Sequence, residues 1–273
     1  MKKKMKLSNK YSREHVLFLK RYRKKLLKIK FFQIGILLLF IILWEVLARL
    51  KIIDSFLMSS PSRVVSTFYN LYISNQLWNN IIYTLIETMI GFALGTALGI
   101  IIATLIWWFP FVFKVTEPYL VVLNALPKVA LGPIIIVWMG AGIGSIILMA
   151  LLVSVIISVM NVLNGFKEVS RDKILLMKSF GASKSQIFYK LVLPSNIGNI
   201  ISTLKINVGM SLIGVITGEF LVSSSGIGYL IVYGGQVFKM DLVMTGVIIL
   251  GFLAWLMYAF VAKVELSFIK KGK

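Results

Sequence analysis

Four ionisable side chains lie inside long apolar stretches of the sequence, at Glu87, Lys128, Lys205 and Glu219. A charge at the centre of a bilayer costs about 2.5 to 3.5 kcal/mol on insertion scales, so such residues usually bind a solute or pair with another helix. For Glu219, both a place in a translocation path or gate and a structural contact with another helix are open. For Lys205 and Glu87 we favour a structural role over a functional one, because both can extend toward a membrane interface. We expect Lys128 to face either an anionic solute in a central cavity or the lipid headgroups.

The residues that covalent or metal chemistry needs are nearly absent. His15 is the only histidine and the chain has no cysteine, so thiolate sites are excluded and a catalytic or metal-binding histidine would lack its partners. No phosphate-binding loop of the form G-x-x-x-x-G-K-[ST] occurs, so ATP would have to be hydrolysed by another chain. We therefore predict a transport subunit with no enzymatic activity, no metal site and no cofactor of its own.

The elements that must hold these residues are membrane-spanning helices. Of 273 residues, 58% are hydrophobic and 15% are charged, which is too apolar for an ordinary soluble domain. Since a span needs about 20 mainly apolar residues, the sequence predicts an all-α integral membrane protein with six spans, at 31–50, 80–107, 112–139, 143–165, 195–221 and 241–263. Pro127 and Pro133 interrupt the third span, which we expect to be kinked or partly re-entrant.

Basic residues are concentrated on one side of this predicted topology. Thirteen of the 30 Lys and Arg residues precede Phe31, and six more lie in the connection 166–194. Because cytoplasmic segments are enriched in Lys and Arg, we predict a plasma (inner) membrane protein with both termini in the cytoplasm. The arm 1–30 is predicted to form an interfacial helix on anionic lipid and not to bind nucleic acid. It precedes a transmembrane domain at 31–265 and a basic cytoplasmic tail at 266–273.

A glycine repeat marks one face of the second predicted span. Gly91, Gly95 and Gly99 recur every four residues, which leaves a smooth strip where the backbone of another helix can approach closely. We predict a helix-packing seam at this face, and the lining of a pore is the alternative.

The connection 166–194 is patterned as two short helices separated by a glycine. The first is predicted from about 168 to 180 and ends at Gly181, which takes a left-handed conformation without steric cost. Ser183 and Gln186 have the spacing of a capping box, which satisfies free amide groups at the start of the second helix. The length and the two-helix pattern favour a segment that a partner protein binds.

Three short motifs in this connection resemble the cytoplasmic coupling loop of binding-protein-dependent ABC transporter permeases: Gly181-Ala182-Ser183, Gln186-Ile187-Phe188 and Val192-Leu193-Pro194. In that family the loop docks in a cleft of a separate ATPase subunit, whose closure reorients the membrane helices. The resemblance implies ATPase-coupling residues at Gly181, Ala182, Ser183, Gln186, Phe188 and Pro194. Pro194 would end or bend the second helix as the chain re-enters the membrane. The Glu-Ala-Ala that opens the family's motif is replaced here by Leu175-Leu176-Met177.

Further matches, in the order expected of the branch that imports nitrate, sulfonates and taurine, extend from about residue 40 to 262. They are Pro61-Ser62, Leu126-Pro127, residues 130–133, Trp138-Met139-Gly140, Gly218-Glu219 and Gly226-Ile227-Gly228. The resemblance implies a type I ABC importer-like permease fold, a homodimer, two ATPase subunits and an extracytoplasmic solute-binding protein. Transport would follow alternating access, with a small solute such as a sulfonate, nitrate, taurine or a vitamin precursor.

Two other functions fit parts of the same sequence. A self-sufficient secondary transporter would show a pair of interrupted helices in matching halves, whereas only the third predicted span is broken. A non-transporting membrane scaffold would have no need of the connection 166–194. We therefore favour the permease function.

Overall fold

The computed structural model describes residues 13–271, and within this range every regular element is a helix. We number the α-helices in chain order. They are α1 (Arg13–Arg49), α2 (Ser55–Met58), α3 (Pro61–Ile73), α4 (Gln76–Trp108), α5 (Pro110–Ala125), α6 (Gly132–Met139), α7 (Ile143–Lys167), α8 (Arg171–Ser179), α9 (Lys184–Ile187), α10 (Leu193–Val222), α11 (Ile227–Gln236) and α12 (Met240–Lys271). A 3₁₀ turn (Lys128–Leu131) precedes α6, and a π-helical turn (Phe188–Val192) joins α9 to α10.

Five helical segments in the described range are long and apolar enough to cross a membrane, and a sixth crossing is added if α5 and α6 form one bent span. This confirms the predicted all-α membrane fold with about six spans. α5 and the segment Lys128–Met139 meet at 89°. The break lies at Leu126 and Pro127, where α5 has ended. Pro133 lies in the first turn of α6, where a missing N–H is tolerated.

The first helix is longer than the predicted first span. α1 runs without interruption from Arg13 to Arg49, so the predicted boundary at residue 30 is not a break in the helix. The reason is local, because residues 13–30 contain neither proline nor glycine and are rich in Lys, Arg and Leu, which favour a helix. Residues 1–12 of the predicted arm lie outside the described residues, and the position of the arm on the membrane surface stays a prediction.

The chain divides into two compact units between Val65 and Ser66. In the first unit, the end of α1 is tied to the start of α3 by one carboxylate. Glu45 accepts hydrogen bonds from the Arg49 guanidinium (2.7 Å) and from the backbone N–H of Ser62 (3.0 Å). A negative charge at the N-terminus of a helix is stabilised by the helix dipole, so this acid has a structural role.

In the second unit, α4, α7 and α10 pack against one another. The structure places α7 against the predicted glycine face of α4. A Cβ added at Gly91 would lie 2.6 Å from the Cβ of Ala150, and one added at Gly95 or Gly99 would overlap serine side chains of α7. On α10, a Cβ added at Gly214 would lie 2.5 Å from the Cα of Ala150. These helices approach so closely because glycine stands at the contacts.

The start of α10 differs from the prediction made at Pro194. Proline lacks an N–H and its ring crowds the preceding helical turn, which is why we expected the helix to end or bend there. The helix does not end there, because the chain is helical throughout Lys184–Val222, and the bend at Pro194 stays a prediction. A π-helical turn precedes the proline, with the N–H of Leu193 bonded to the carbonyl of Phe188. The wider turn accommodates the ring, so the predicted helix end at Pro194 is wrong.

Candidate functional site

The predicted coupling segment forms two helices joined by a tight turn. Gly181 has a φ of 75°, a conformation that costs glycine little and other residues more. Its N–H bonds to the carbonyl of Lys178 (2.9 Å), and the N–H of Ala182 bonds to that of Met177 (3.0 Å). This pair of bonds is the Schellman pattern, which satisfies the last carbonyls of a helix. The glycine therefore ends α8, as its place in the sequence predicts.

α9 begins with the capping box that the sequence predicts. The Ser183 hydroxyl accepts from the N–H of Gln186 (3.3 Å), and the Gln186 side-chain oxygen accepts from the N–H of Ser183 (2.8 Å). Two amide groups that have no partner within the helix are satisfied in this way. Gly181, Ala182, Ser183 and Gln186 lie together, and all four shape the turn through the bonds described.

Phe188 is a buried anchor of this segment. Only 4% of the residue is exposed, and its ring lies 5.1 Å from Trp107, 5.8 Å from Trp108 and 5.6 Å from Phe166, measured between ring centroids. Such aromatic contacts contribute about 0.5–1.5 kcal/mol each beyond the buried area. The resemblance placed Phe188 among the docking residues. The structure shows its ring packed inside this chain, against the C-terminal ends of α4 and α7.

Two lysines add polar links at the same end of the unit. The Lys184 ammonium donates a hydrogen bond to the backbone carbonyl of Trp108 and lies 5.9 Å from the Trp108 ring centroid. The Lys167 ammonium pairs with Glu117 of α5 at 3.1 Å and lies 4.0 Å from the Phe113 ring centroid. The coupling segment is thus connected to α4, and the end of α7 to α5. Sequence reasoning missed both links, because their partners are 76 and 50 residues away.

An apolar patch is exposed on the coupling segment. Leu175 is 50% exposed, Leu176 57% and Phe180 81%. Exposed apolar clusters rimmed by polar residues mark surfaces for contact with other proteins. The two leucines stand where the family's Glu-Ala-Ala begins, and the sequence alone did not mark them for a role, because exposure cannot be read from residue types.

A second polar cluster surrounds Glu219, near the end of α10. Only 1% of this residue is exposed. Its carboxylate accepts from the Thr84 hydroxyl of α4 (2.6 Å) and from the backbone N–H of Gly228 (2.5 Å). A Cβ added at Gly228 would lie 2.6 Å from one carboxylate oxygen, and one at Gly226, where φ is 104°, would overlap the same group. The glycines therefore let the connection between α10 and α11 fold onto the acid.

Residues of α4 complete this cluster. The Asn80 side-chain oxygen accepts from the N–H of Gly226 (2.7 Å), and the Thr84 hydroxyl accepts from the N–H of Ile227 (2.9 Å). These amides lie at the start of α11 and would otherwise lack partners. Sequence reasoning had found the acid and the glycines but missed Asn80 and Thr84, since neutral polar residues in an apolar helix give little signal.

The remaining intramembrane charges have different surroundings. Glu87 is only 3% exposed, so its predicted extension toward an interface is wrong. The Lys128 ammonium donates to the backbone carbonyl of Asn124 (2.5 Å) at the break between α5 and α6, where a cation stabilises a helix C-terminus. Lys205 is half-buried on α10.

Asn207 joins the three central helices and was not singled out from the sequence. It is fully buried, and its amide donates to the Thr96 hydroxyl of α4 (2.8 Å) and to the Ser158 hydroxyl of α7 (2.5 Å). Hydrogen bonds between membrane helices contribute about 0.6 kcal/mol on average. The Asn207 amide therefore helps to fix the register of α10 against α4 and α7.

A cavity of about 550 Å³ adjoins the Glu219 cluster. It is bounded by the start of α4, by the connection after α10 and by α11, and none of the lining residues is charged. Its polar and aromatic lining includes Gln76, Asn79, Asn80, Tyr83, Tyr229 and Tyr233. Thr84 of this cluster and Trp107 of the coupling end are 23 residues apart on α4, which corresponds to about 35 Å along a helix. The two candidate sites are therefore at opposite ends of the same helices.

Comparisons with known proteins match most of this chain. The family described as "Binding-protein-dependent transport system inner membrane component" matches residues 95–264. The chain is 31% identical to the formylaminopyrimidine transport permease protein ThiX of Halalkalibacterium halodurans, over 70% of this chain and 76% of the relative. It is 23% identical to the taurine transport system permease protein TauC of Escherichia coli, over 82% and 83% of the two chains.

Solved structures share the fold. One chain of a bacterial ABC transporter involved in the import of the acidic polysaccharide alginate superposes with a TM-score of 0.60 and 15% sequence identity, covering 89% of this chain and 98% of that one. At this identity the similarity shows a common fold, which has the type I importer arrangement expected from the sequence.

Proposed function

The chain belongs to the family of binding-protein-dependent transport system inner membrane components, and we propose that its segment 166–194 couples ATP hydrolysis on a separate subunit to solute passage through its helices. As a member of this family it is a permease subunit of an ABC importer. The observation that carries the coupling proposal is the anchored turn at Gly181, which exposes an apolar patch on one side and packs Phe188 against α4 and α7 on the other.

The proposed coupling acts through these contacts. An ATPase subunit that binds Leu175, Leu176 and Phe180 moves α8 and α9 together, because the Gly181 turn and the capping box hold them in a fixed relation. Phe188 passes this movement to the ends of α4 and α7 through packed aromatic rings. Closely packed side chains transmit displacement because they have little room to deform.

The Glu219 cluster is our proposed gate at the other end of the helices. Glu219 and Thr84 hold the start of α11 against α4, and opening a path between α4 and α10 requires these bonds to exchange partners. We place Lys128 on the same path as a second contact, since it lies at the break in the bent span, where irregular backbone lines cavities in transport proteins.

The complete importer is proposed to contain more than this chain. It would be a homodimer in the plasma (inner) membrane with two ATPase subunits, an extracytoplasmic solute-binding protein and anionic lipid on the basic arm. The positive-inside distribution of Lys and Arg supports cytoplasmic termini. The cargo is a small solute, for which the relatives' names suggest a vitamin precursor or taurine, and sulfonates and nitrate are further candidates.

Two matched glycine variants test the coupling role. Gly181 and Gly140 both have a φ of 75°, and a Cβ at either would meet nothing within 4 Å. In both, the N–H donates to a preceding carbonyl, so proline imposes the same kind of local change at two distant places. The wild type and both variants are purified in mild detergent from the native membrane, and co-purifying proteins are identified by mass spectrometry.

We expect an ATPase subunit with a phosphate-binding loop to co-purify with the wild type and with Gly140→Pro and to be lost from Gly181→Pro. Equal recovery of the ATPase subunit with both variants would show that the turn is not part of the docking site. If no ATPase accompanies the wild type under any gentle condition, ATP-driven coupling through this segment is wrong.

A further inference from the structure

We propose that the cavity beside the Glu219 cluster is a solute-binding site of the permease itself, and that it takes a flat, uncharged heteroaromatic solute such as a pyrimidine. This inference rests on the proposed function, because it names the solute class of the path that the coupling segment drives. The cavity has a volume of about 550 Å³, and its wall is formed by the start of α4, by the connection after α10 and by α11. That volume is within the range of about 300–1,000 Å³ found for small-molecule sites.

The aromatic part of the wall suits a planar ring. Tyr229 and Tyr233 lie one helical turn apart on α11, with ring centroids 5.9 Å apart and ring planes 24° from parallel. Tyr83 lines the same cavity from α4. Tyrosines present flat apolar faces with a hydroxyl at the edge, so a heterocycle can stack on a ring face while its polar edge stays hydrogen-bonded.

The polar part of the wall suits the edge of such a ring. Gln76 and Asn79 are exposed, line the cavity and make no side-chain hydrogen bond within the described part of the chain. A carboxamide offers both a donor and an acceptor, which matches the alternating ring nitrogens and amino groups of a pyrimidine. The Asn80 side chain already has partners, because its oxygen accepts from the backbone N–H of Gly226 and its nitrogen donates to the backbone carbonyl of Gln76.

The same wall is poorly suited to an anion. None of its lining residues is Lys, Arg or His, so a sulfonate or nitrate that leaves water would find no opposite charge there to compensate for its lost hydration. The cavity therefore offers no cationic partner to a sulfonate group, such as that of taurine, or to nitrate, whereas a neutral ring needs none.

The cavity also adjoins the proposed gate. Asn80 both lines the cavity and holds the N–H of Gly226, and Gly226 packs on the Glu219 carboxylate. A solute that contacts Asn79 or Tyr229 lies next to the connection that must move when α4 and α10 separate. A solute bound in the cavity would therefore influence the opening of the proposed gate between α4 and α10.

Equilibrium binding of two labelled probes tests the proposal. The complex of the permease with its ATPase subunits is placed in lipid nanodiscs, and binding of formylaminopyrimidine and of taurine is measured without nucleotide and with ATP. We expect saturable binding of the pyrimidine in at least one state and no saturable binding of taurine. Tyr229→Leu should weaken pyrimidine binding about tenfold, because it removes an aromatic face on which the solute ring stacks.

Two further variants complete the design. Tyr258→Leu is the matched control, because Tyr258 is an exposed tyrosine of α12 that does not line the cavity, and it should bind as the wild type does. Asn79→Leu alters an exposed position, so it keeps the proposal testable if Tyr229→Leu fails to fold, and it should also weaken pyrimidine binding.

Three results would overturn the proposal: no pyrimidine binding in either state, pyrimidine binding unchanged in both cavity variants, or taurine binding as tight as that of the pyrimidine. Retention of the ATPase subunits is recorded for each sample. If the ATPase subunits co-purify with the wild type and are lost from Gly181→Pro, but the pyrimidine does not bind, the solute class is wrong and the coupling function stands.

Discussion

Glu219 shows how one buried acid can organise a membrane protein. Its carboxylate joins α10 to α4 through Thr84 and to the start of α11 through Gly228. Neither partner group can find water in the packed interior, so each bond left unmade costs about 1–3 kcal/mol. All three elements therefore depend on this one carboxylate.

The hydroxyl of Thr84 is the matching group on α4, and its removal tests the cluster. Thr84→Val keeps the shape but leaves the Ile227 N–H without an acceptor and removes a donor to Glu219. We expect the free energy of unfolding to fall by about 1–3 kcal/mol, measured by denaturant titration in detergent micelles. Thr217→Val is the control, because the exposed hydroxyl of Thr217 bonds only to its own helix at the Ile213 carbonyl. Equal stability of the two variants would show that the Thr84 hydroxyl does not stabilise the Glu219 cluster.

At the scale of elements, the packing of α4 on α7 depends on the absence of side chains. A Cβ on Gly99 would overlap Ser158, whereas glycine leaves room for backbone contact. The seam therefore explains the four-residue repeat, and it lies between helices of one chain.

Two glycine-to-alanine variants distinguish a seam from a general helix effect. Gly99→Ala should lower the free energy of unfolding by about 1–3 kcal/mol through overpacking. Gly209→Ala should cause no loss, because a Cβ there meets nothing within 4 Å and alanine is the better helix former. Both are measured by the same denaturant titration. A larger loss for Gly209→Ala would show that the close contact at Gly99 does not determine stability.

The coupling segment yields a second prediction at this scale. Phe188 and Tyr189 are adjacent aromatic residues with opposite surroundings, one 4% and the other 65% exposed. Phe188→Ala removes the contact with Trp107 and Phe166 but leaves the exposed patch unchanged. ATPase subunits should therefore still bind, while solute uptake into proteoliposomes falls several-fold. Tyr189→Ala should leave both nearly unchanged. Uptake at the wild-type rate in Phe188→Ala would show that the aromatic contact does not transmit the movement.

At the scale of the whole molecule, the proposed topology separates the two sites across the membrane. The coupling segment would face the cytoplasm and the cavity the other side. The chain has no cysteine, so labelling of a single introduced cysteine shows on which side of the membrane that residue lies, with no signal from other thiols of the chain.

Ser179 and Ser224 are exposed residues at the two ends and suit this measurement. In intact cells, a membrane-impermeant maleimide should label Ser224→Cys and leave Ser179→Cys unlabelled, and in inverted membrane vesicles the pattern should reverse. Both thiols should react after detergent is added, which controls for access. Labelling of Ser179→Cys in intact cells would reverse the proposed topology.

Features that depend on neighbouring residues could be predicted from the sequence. The helical spans follow from the length of apolar runs, and the end of α8 at Gly181 and the capping box of Ser183 follow from bonds that reach only three to five residues along the chain. The family resemblance could be seen for the same reason, since its motifs are short.

Features that depend on distant residues required the tertiary structure. Thr84 meets Glu219 across 135 residues and Asn207 meets Thr96 across 111, and no local pattern specifies such pairs. The burial of Glu87 and Phe188, and the helix that continues through Pro194, were likewise decided by packing and by a π-helical turn. Local hydrogen bonds and apolar length determine which segments are helices, whereas the relative placement of those helices determines which polar groups meet and which side chains remain exposed.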